Sequence, residues 1–271
     1  SEPGHSKGGP NPGAEVESAL RQRLPPTEHT AAGYESYSHR GTDPDLVPVA
    51  AWFVAQFRYE HQDDSPDAWK RAVDALRGMV DRFPEAATTD EALYRMSITL
   101  ARSGDSAAAE AAIKELEDRY PRSRHLESGH ELSDLLRESE STGEASVLPP
   151  VTRHLYSTAL WHVTTGKPED AFLVLEKLLN RAKALGVEDA PLLARARLLQ
   201  VRLCLEPLQQ ADRAASILRA MLEGEAGPHA SRAAFLLGEA EKARGRWTEA
   251  VEAYRGFIRT HPKDARVDRA Q

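Results

Sequence analysis

Histidine and cysteine are the residues of this chain whose chemistry is easiest to recognise from spacing. The 271 residues include 10 His and a single Cys, but no HExxH pattern and no Cys/His cluster with the spacing of a zinc site. His154 and His162 are eight residues apart and could share one helical face, yet neither has an obvious third ligand nearby. The sequence therefore predicts no metal site and no cofactor.

Other groups with catalytic or binding chemistry also lack a supporting pattern. The acidic run from His61 to Asp64 lacks the glycine and the closing glutamate of a calcium loop, so we expect a solvated turn. Cys204 stands between Leu203 and Leu205, which favours a buried small apolar residue over a reactive thiol. There is no glycine-rich phosphate loop and no recognisable Ser/His/Asp order, so we predict that the protein is not an enzyme.

Composition favours a helical fold and argues against nucleic acid as a partner. The formal net charge is −7, which argues against nucleic acid, because a phosphate backbone is bound by a basic surface. No apolar run of about 18 residues is present, so no membrane span is expected. Aromatic residues make up only 6%, and the abundance of Ala, Leu, Arg and Glu favours helices over strands.

The segment 234–262 has small, turn-forming and helix-ending residues at the spacing that a pair of antiparallel helices needs. Gly238 and Ala250 are small enough to let the two helices approach closely, and Gly245 suits the left-handed conformation that follows a helix. Pro262 cannot continue the second helix. Because such a pair of about 34 residues cannot bury its own apolar face, it predicts neighbouring pairs that stack on it.

The same register can be laid along most of the chain. Trp247 and Tyr254, two helical turns apart on one face, are expected to fill the space between helices. The pattern predicts an all-α fold, an α-solenoid of about five helical hairpins at 53–86, 90–123, 152–185, 195–228 and 231–264. The small position of each second helix is occupied by Ala72, Ala109, Ala171, Ala214 and Ala250.

The spacing between the second and third hairpins requires an additional element. The segment from His125 to Ser139 carries Leu132, Leu135 and Leu136 on one stripe and is predicted to form a single amphipathic helix. Residues 139–150 read as a linker that ends in two prolines. The hairpins would then form two sub-arrays, 46–138 and 151–271, either as one superhelix or as two hinged blocks.

Residues 1–45 have a different composition. Their Gly, Pro and Ser content predicts a disordered or linker tail. Ala14 to Leu24 could form a short helix, and Tyr34, Tyr37 and His39 could dock on the hairpins, although a mobile tail is favoured.

The first residues of the chain and the sequences that end its repeats suggest a cellular location. From about Leu46 onward, the chain resembles a tetratricopeptide-repeat protein. The endings DRFPEA, DRYPRS and RTHPKD resemble repeats of bacterial cell-envelope proteins, namely BamD-type outer-membrane assembly lipoproteins and YbgF-type periplasmic proteins. The first residue is Ser1, so we expect a processed or trimmed product, and the tether composition suggests a lipid anchor upstream of it.

This resemblance implies a non-enzymatic adaptor in an envelope complex, such as secretion, pilus, motility or outer-membrane assembly machinery. A cytoplasmic adaptor or regulator is the alternative, and an enzyme accessory subunit is a third reading. In such arrays the first helix of each unit lines an inner groove that holds an extended peptide or another protein. The groove residues predicted in this register are Phe57, Tyr94, Arg153, Tyr156, Arg232, Phe235 and Glu239. The alternative is that the aromatic members are packing residues.

The C-terminal hairpin is the second candidate for partner binding. After Pro262 the sequence KDARVDRAQ has the pattern of another first helix, and it stops at Gln271. We expect the apolar face formed by Val251, Tyr254 and Ile258 to be left open. It would be covered by a partner, by a second copy in a homo-oligomer, or by further repeats. Binding through the groove and binding through this edge remain equal alternatives.

Overall fold

The computed structural model describes residues 12–141, 150–186, 191–224 and 229–271. Within those ranges the structure contains helices and no strand, which confirms the all-α prediction. The helices are α1 (Pro12–Arg21), α2 (Ala31–Arg40), α3 (Leu46–Glu60), α4 (Pro66–Arg82), α5 (Thr89–Ser103), α6 (Ser106–Arg119), α7 (Leu126–Ser141), α8 (Pro150–Thr164), α9 (Pro168–Ala184), α10 (Pro191–Leu205), α11 (Ala211–Glu223), α12 (Ala230–Ala243), α13 (Trp247–Thr260) and α14 (Val267–Ala270). Among these residues no helix combines the length and the apolar character needed to cross a membrane.

All five predicted hairpins are present, although α3 begins at Leu46 instead of the predicted residue 53. They are α3/α4, α5/α6, α8/α9, α10/α11 and α12/α13, and the two helices of each pair pack on one another. The alanine predicted at the small position of each second helix is buried, with at most 3% of its surface exposed: Ala72, Ala109, Ala171, Ala214 and Ala250. A side chain that ends at Cβ keeps the helix axes close, so these alanines set the width of each hairpin.

Turns and caps account for where these helices begin and end. Gly104, Gly166 and Gly245 follow the first helices of three hairpins with φ of +90°, +72° and +72°, a left-handed conformation that favours glycine. Ser65 Oγ accepts a hydrogen bond from the Ala68 N–H (3.2 Å) at the start of α4. Asp105 Oδ1 does the same for the Ala108 N–H (3.0 Å) at the start of α6.

The chain divides into two compact units, Ser1–Leu136 and Arg137–Gln271. In the first unit α7 follows the α5/α6 hairpin as the predicted amphipathic helix, and its stripe Leu132, Leu135 and Leu136 is buried. Residues 142–149 of the predicted linker lie outside the described residues. In the second unit the hairpins α8/α9, α10/α11 and α12/α13 pack in sequence, α9 against α10 and α11 against α12.

The tail prediction needs correction from residue 12 onward, whereas residues 1–11 lie outside the described residues. Helices α1 and α2 pack on α3, where Val16, Leu20 and Tyr34 are buried with Leu46 and Ala50. The Tyr34 hydroxyl donates a hydrogen bond to the Leu24 carbonyl (2.8 Å), and its ring meets Phe53 edge-on at 6.1 Å. Helices α1 and α2 contribute few apolar side chains, and they can pack because α3 supplies Leu46 and Ala50 to the same cluster.

Replacing the Tyr34 side chain should release these two helices. We expect Tyr34→Ala to accelerate amide hydrogen exchange throughout α1 and α2, because truncating a buried aromatic residue costs about 3–5 kcal/mol. Exchange in α12 and α13 should not change. Tyr34→Phe is the matched control, since it removes the hydrogen bond alone and costs about 1 kcal/mol. Exchange of residues 12–45 at unfolded-chain rates in the unsubstituted protein would contradict this packing.

Candidate functional site

Most of the aromatic residues predicted to line a groove lie inside the hairpins instead. The exposed fractions of Tyr94, Tyr156 and Phe235 are 4%, 1% and 4%. Tyr94 stacks on His125 with ring centroids 5.0 Å apart, and Phe235 contacts Phe257 edge-on at 5.6 Å. Their packing role therefore fits the structure better than contact with a partner, because little of each side chain is accessible.

The other predicted groove residues are spread over both units. Phe57 is half-buried and stacks on His61 with centroids 4.1 Å apart. Arg232 is half-buried at the start of α12. Arg153 belongs to α8, but its side chain lies outside the described residues. Glu239 Oε1 accepts a hydrogen bond from the Tyr254 hydroxyl (2.6 Å), so it joins α12 to α13.

An apolar stripe on α13 is accessible to solvent at its N-terminal end. Trp247, Val251, Tyr254 and Ile258 recur at intervals of four, three and four residues and so lie on one helical face, which we call the α13 stripe. Trp247 and Val251 are 65% and 47% exposed, whereas Tyr254 and Ile258 are half-buried. Trp247 therefore does not fill an interhelical space as predicted. It lies one turn from a second exposed apolar side chain.

Contacts with α12 surround the C-terminal half of the stripe and the segment that follows α13. Tyr254 packs against Gly238 of α12, and burial together with the hydrogen bond to Glu239 raises the pKa of its hydroxyl far above the usual range. The segment that follows α13 returns to the start of α12, where Asp264 bonds with Ser231 and Arg266. Hydrogen bonds from Arg266 and from Ser231 hold the pKa of Asp264 well below its usual range.

An ionic cluster centred on the buried carboxylate of Glu241 joins α12 to α11. The Glu241 carboxylate is nearly fully buried and accepts hydrogen bonds from Arg219 of α11 and from Arg244 (Nη1, 2.9 Å to Oε2). Arg244 Nε also bonds Asp212 Oδ1 at 2.6 Å. Each charge has an opposite partner, which a buried carboxylate requires. These ion pairs therefore join the hairpin that carries the stripe to α11.

The thiol of Cys204 lies in the buried environment that the sequence predicted. Cys204 is fully buried in α10, and burial raises the pKa of its thiol, which keeps it protonated. No group of three or more His, Cys, Asp or Glu residues in the described ranges is placed to hold a metal ion.

Comparison with known proteins identifies two of the hairpins. The family model of the tetratricopeptide repeat matches residues 91–123 and 232–264, which are the α5/α6 and α12/α13 hairpins with their following turns. No curated protein matches the chain. Among solved structures, the chain is similar to the crystal structure of the P58(IPK) TPR domain at 13% identity. That match covers 96% of this chain and 73% of the other, with a TM-score of 0.35. Tetratricopeptide repeats indicate a scaffold for protein–protein interaction.

Proposed function

We propose that this protein is a non-enzymatic scaffold or adaptor that binds a helix of a partner protein on the α13 stripe. The observation that carries the proposal is the exposure of Trp247 and Val251 on one face of a hairpin that matches the tetratricopeptide repeat. Large apolar side chains that cluster on a surface mark interaction sites more often than single ones do. Tryptophan is also enriched among the residues that dominate binding energy.

The packing of the other hairpins supports a helix as the occupant. Three second helices are each packed against the first helix of the hairpin that follows: α4 against α5, α9 against α10, and α11 against α12. On α13, by contrast, the apolar side chains of Trp247 and Val251 are exposed. An amphipathic partner helix with apolar residues at intervals of three and four would give α13 the same kind of contact.

A photo-crosslinker on α13 tests the proposal in cells of the native host. With p-benzoylphenylalanine in place of Val251, we expect one discrete adduct with another protein. The adduct should disappear when Trp247→Ala is added, since truncating a central aromatic anchor costs about 2–4 kcal/mol of binding. The matched control places the same crosslinker at Glu252, which is also exposed on α13 but lies about 100° around the helix.

Three results would contradict the assignment. Equal adducts from positions 251 and 252 would show that capture is indiscriminate. Persistence of the adduct in the Trp247→Ala background would remove the stripe from the contact. An adduct between two copies of this chain, together with a dimer in sedimentation, would show that a second copy covers the stripe instead of a partner protein.

The cellular setting that we propose is a bacterial cell-envelope complex in the periplasm, with a lipid anchor upstream of Ser1 as one mode of attachment. Its support is the resemblance of the repeat endings to envelope proteins. In fractionated host cells, we expect the natural full-length protein to be recovered with the envelope and to be digested by protease in spheroplasts. Recovery in the cytoplasm with protease resistance would favour the alternative, a cytoplasmic adaptor or regulator.

A further inference from the structure

A cleft of about 310 Å³ lies between α2, α3 and α4 in the first unit. Its lining includes the half-buried apolar side chains of Val54 on α3 and Ala75 on α4. Three arginines surround that surface: Arg58 from α3, and Arg71 and Arg82 from α4. We call this feature the α2–α4 cleft. Its volume is at the lower end of the range that binds ligands, and it is remote in sequence from the α13 stripe.

The carboxylates that line the cleft are already paired. Glu35 of α2 forms an ion pair with Arg58 (Oε2 to Nη2, 3.1 Å), and Asp74 pairs with Lys70 (Oδ2 to Nζ, 2.5 Å). Among the described residues, neither Arg71 nor Arg82 forms a close ion pair with a carboxylate. The local charge is positive in a protein whose formal net charge is −7.

The two remaining arginines differ in what they bind. Arg82 donates a hydrogen bond to the Ser38 carbonyl and lies 3.4 Å from Nδ1 of His39, so it links α4 to α2 at one side of the cleft. Arg71 is exposed, and within the described residues its guanidinium donates no hydrogen bond, although its charge acts on the Asp63 carboxylate. All of its donors are available to a ligand in the cleft.

We propose that the α2–α4 cleft binds an acidic peptide segment of a partner protein, with an apolar side chain between two carboxylates. The planar guanidinium of Arg71 would hold one carboxylate through paired hydrogen bonds, and Arg82 would face the second. The intervening apolar side chain would pack on Val54 and Ala75. This proposal does not depend on the α13 stripe, so disproof of one binding site would leave the other proposal unaffected.

Gly78 allows the cleft to be closed without altering its charges. It lies on α4 in the cleft lining, and a Cβ added there would meet no heavy atom within 4 Å. A larger side chain at this position therefore projects into open space. Gly78→Leu should occupy the cleft and should also favour the helix, because glycine in a helix interior costs about 0.5–1 kcal/mol relative to alanine.

Fluorescence anisotropy with a labelled peptide tests the site on the full chain. The probe is the capped pentapeptide Glu-Leu-Glu-Leu-Glu, and its counterpart replaces every Glu with Gln. We expect the acidic peptide to bind at least about tenfold more tightly than the Gln peptide, and more weakly as salt is added. Arg71→Ala and Gly78→Leu should each weaken binding about tenfold or more. Arg71→Lys should retain part of it.

Arg122→Ala is the matched control, because Arg122 is an exposed arginine of the same unit outside the cleft and its removal changes the net charge equally. It should leave peptide affinity unchanged, and circular dichroism should show native helix content in every variant. Equal affinity for the Glu and Gln peptides would overturn the proposal. So would equal losses in Arg71→Ala and Arg122→Ala, or undiminished binding by Gly78→Leu. Unchanged crosslinking at the α13 stripe in the Arg71→Ala variant would confirm that the two sites are separate.

Discussion

The close approach of two helices over a small residue is the constraint on which the rest of this structure depends. In each of the five hairpins the second helix presents a buried alanine to the first, and Gly238 of α12 does the same for the ring of Tyr254. The short distance between the helices brings the flanking leucines and aromatic residues into contact. A hairpin built in this way still has an apolar face, so it needs another helix beside it.

This requirement determines which surfaces are left for function. Tyr94, Tyr156 and Phe235 are buried by packing, so almost none of their side-chain surface is accessible to a partner. Two accessible features among the described residues are the α13 stripe, where Trp247 and Val251 are exposed, and the basic α2–α4 cleft, where α2 meets the first hairpin. Both lie on rigid helices, which lowers the entropic cost of binding.

The sequence predicted the features that arise from local spacing. The five alanines, the left-handed turn glycine Gly245 and the leucine stripe of α7 follow from helical periodicity and from φ preferences alone. The packing of α1 and α2 could not be predicted in this way, because Tyr34 is buried by residues of α3 that are distant in sequence. The exposure of Trp247 depends on its neighbours, and the arginines of the cleft converge only after α3 and α4 pair.

Two glycine-to-alanine substitutions in the last hairpin measure the packing constraint directly. A Cβ at Gly238 would lie 2.4 Å from Cε1 of Tyr254, whose hydroxyl is held by Glu239, whereas a Cβ at Gly256 would meet nothing within 4 Å. In urea unfolding we expect Gly238→Ala to lower the free energy of unfolding by about 1–3 kcal/mol. Gly256→Ala should raise it by about 0.5–1 kcal/mol. Changes of the same sign at both positions would contradict the claim that close helix approach holds the hairpin together.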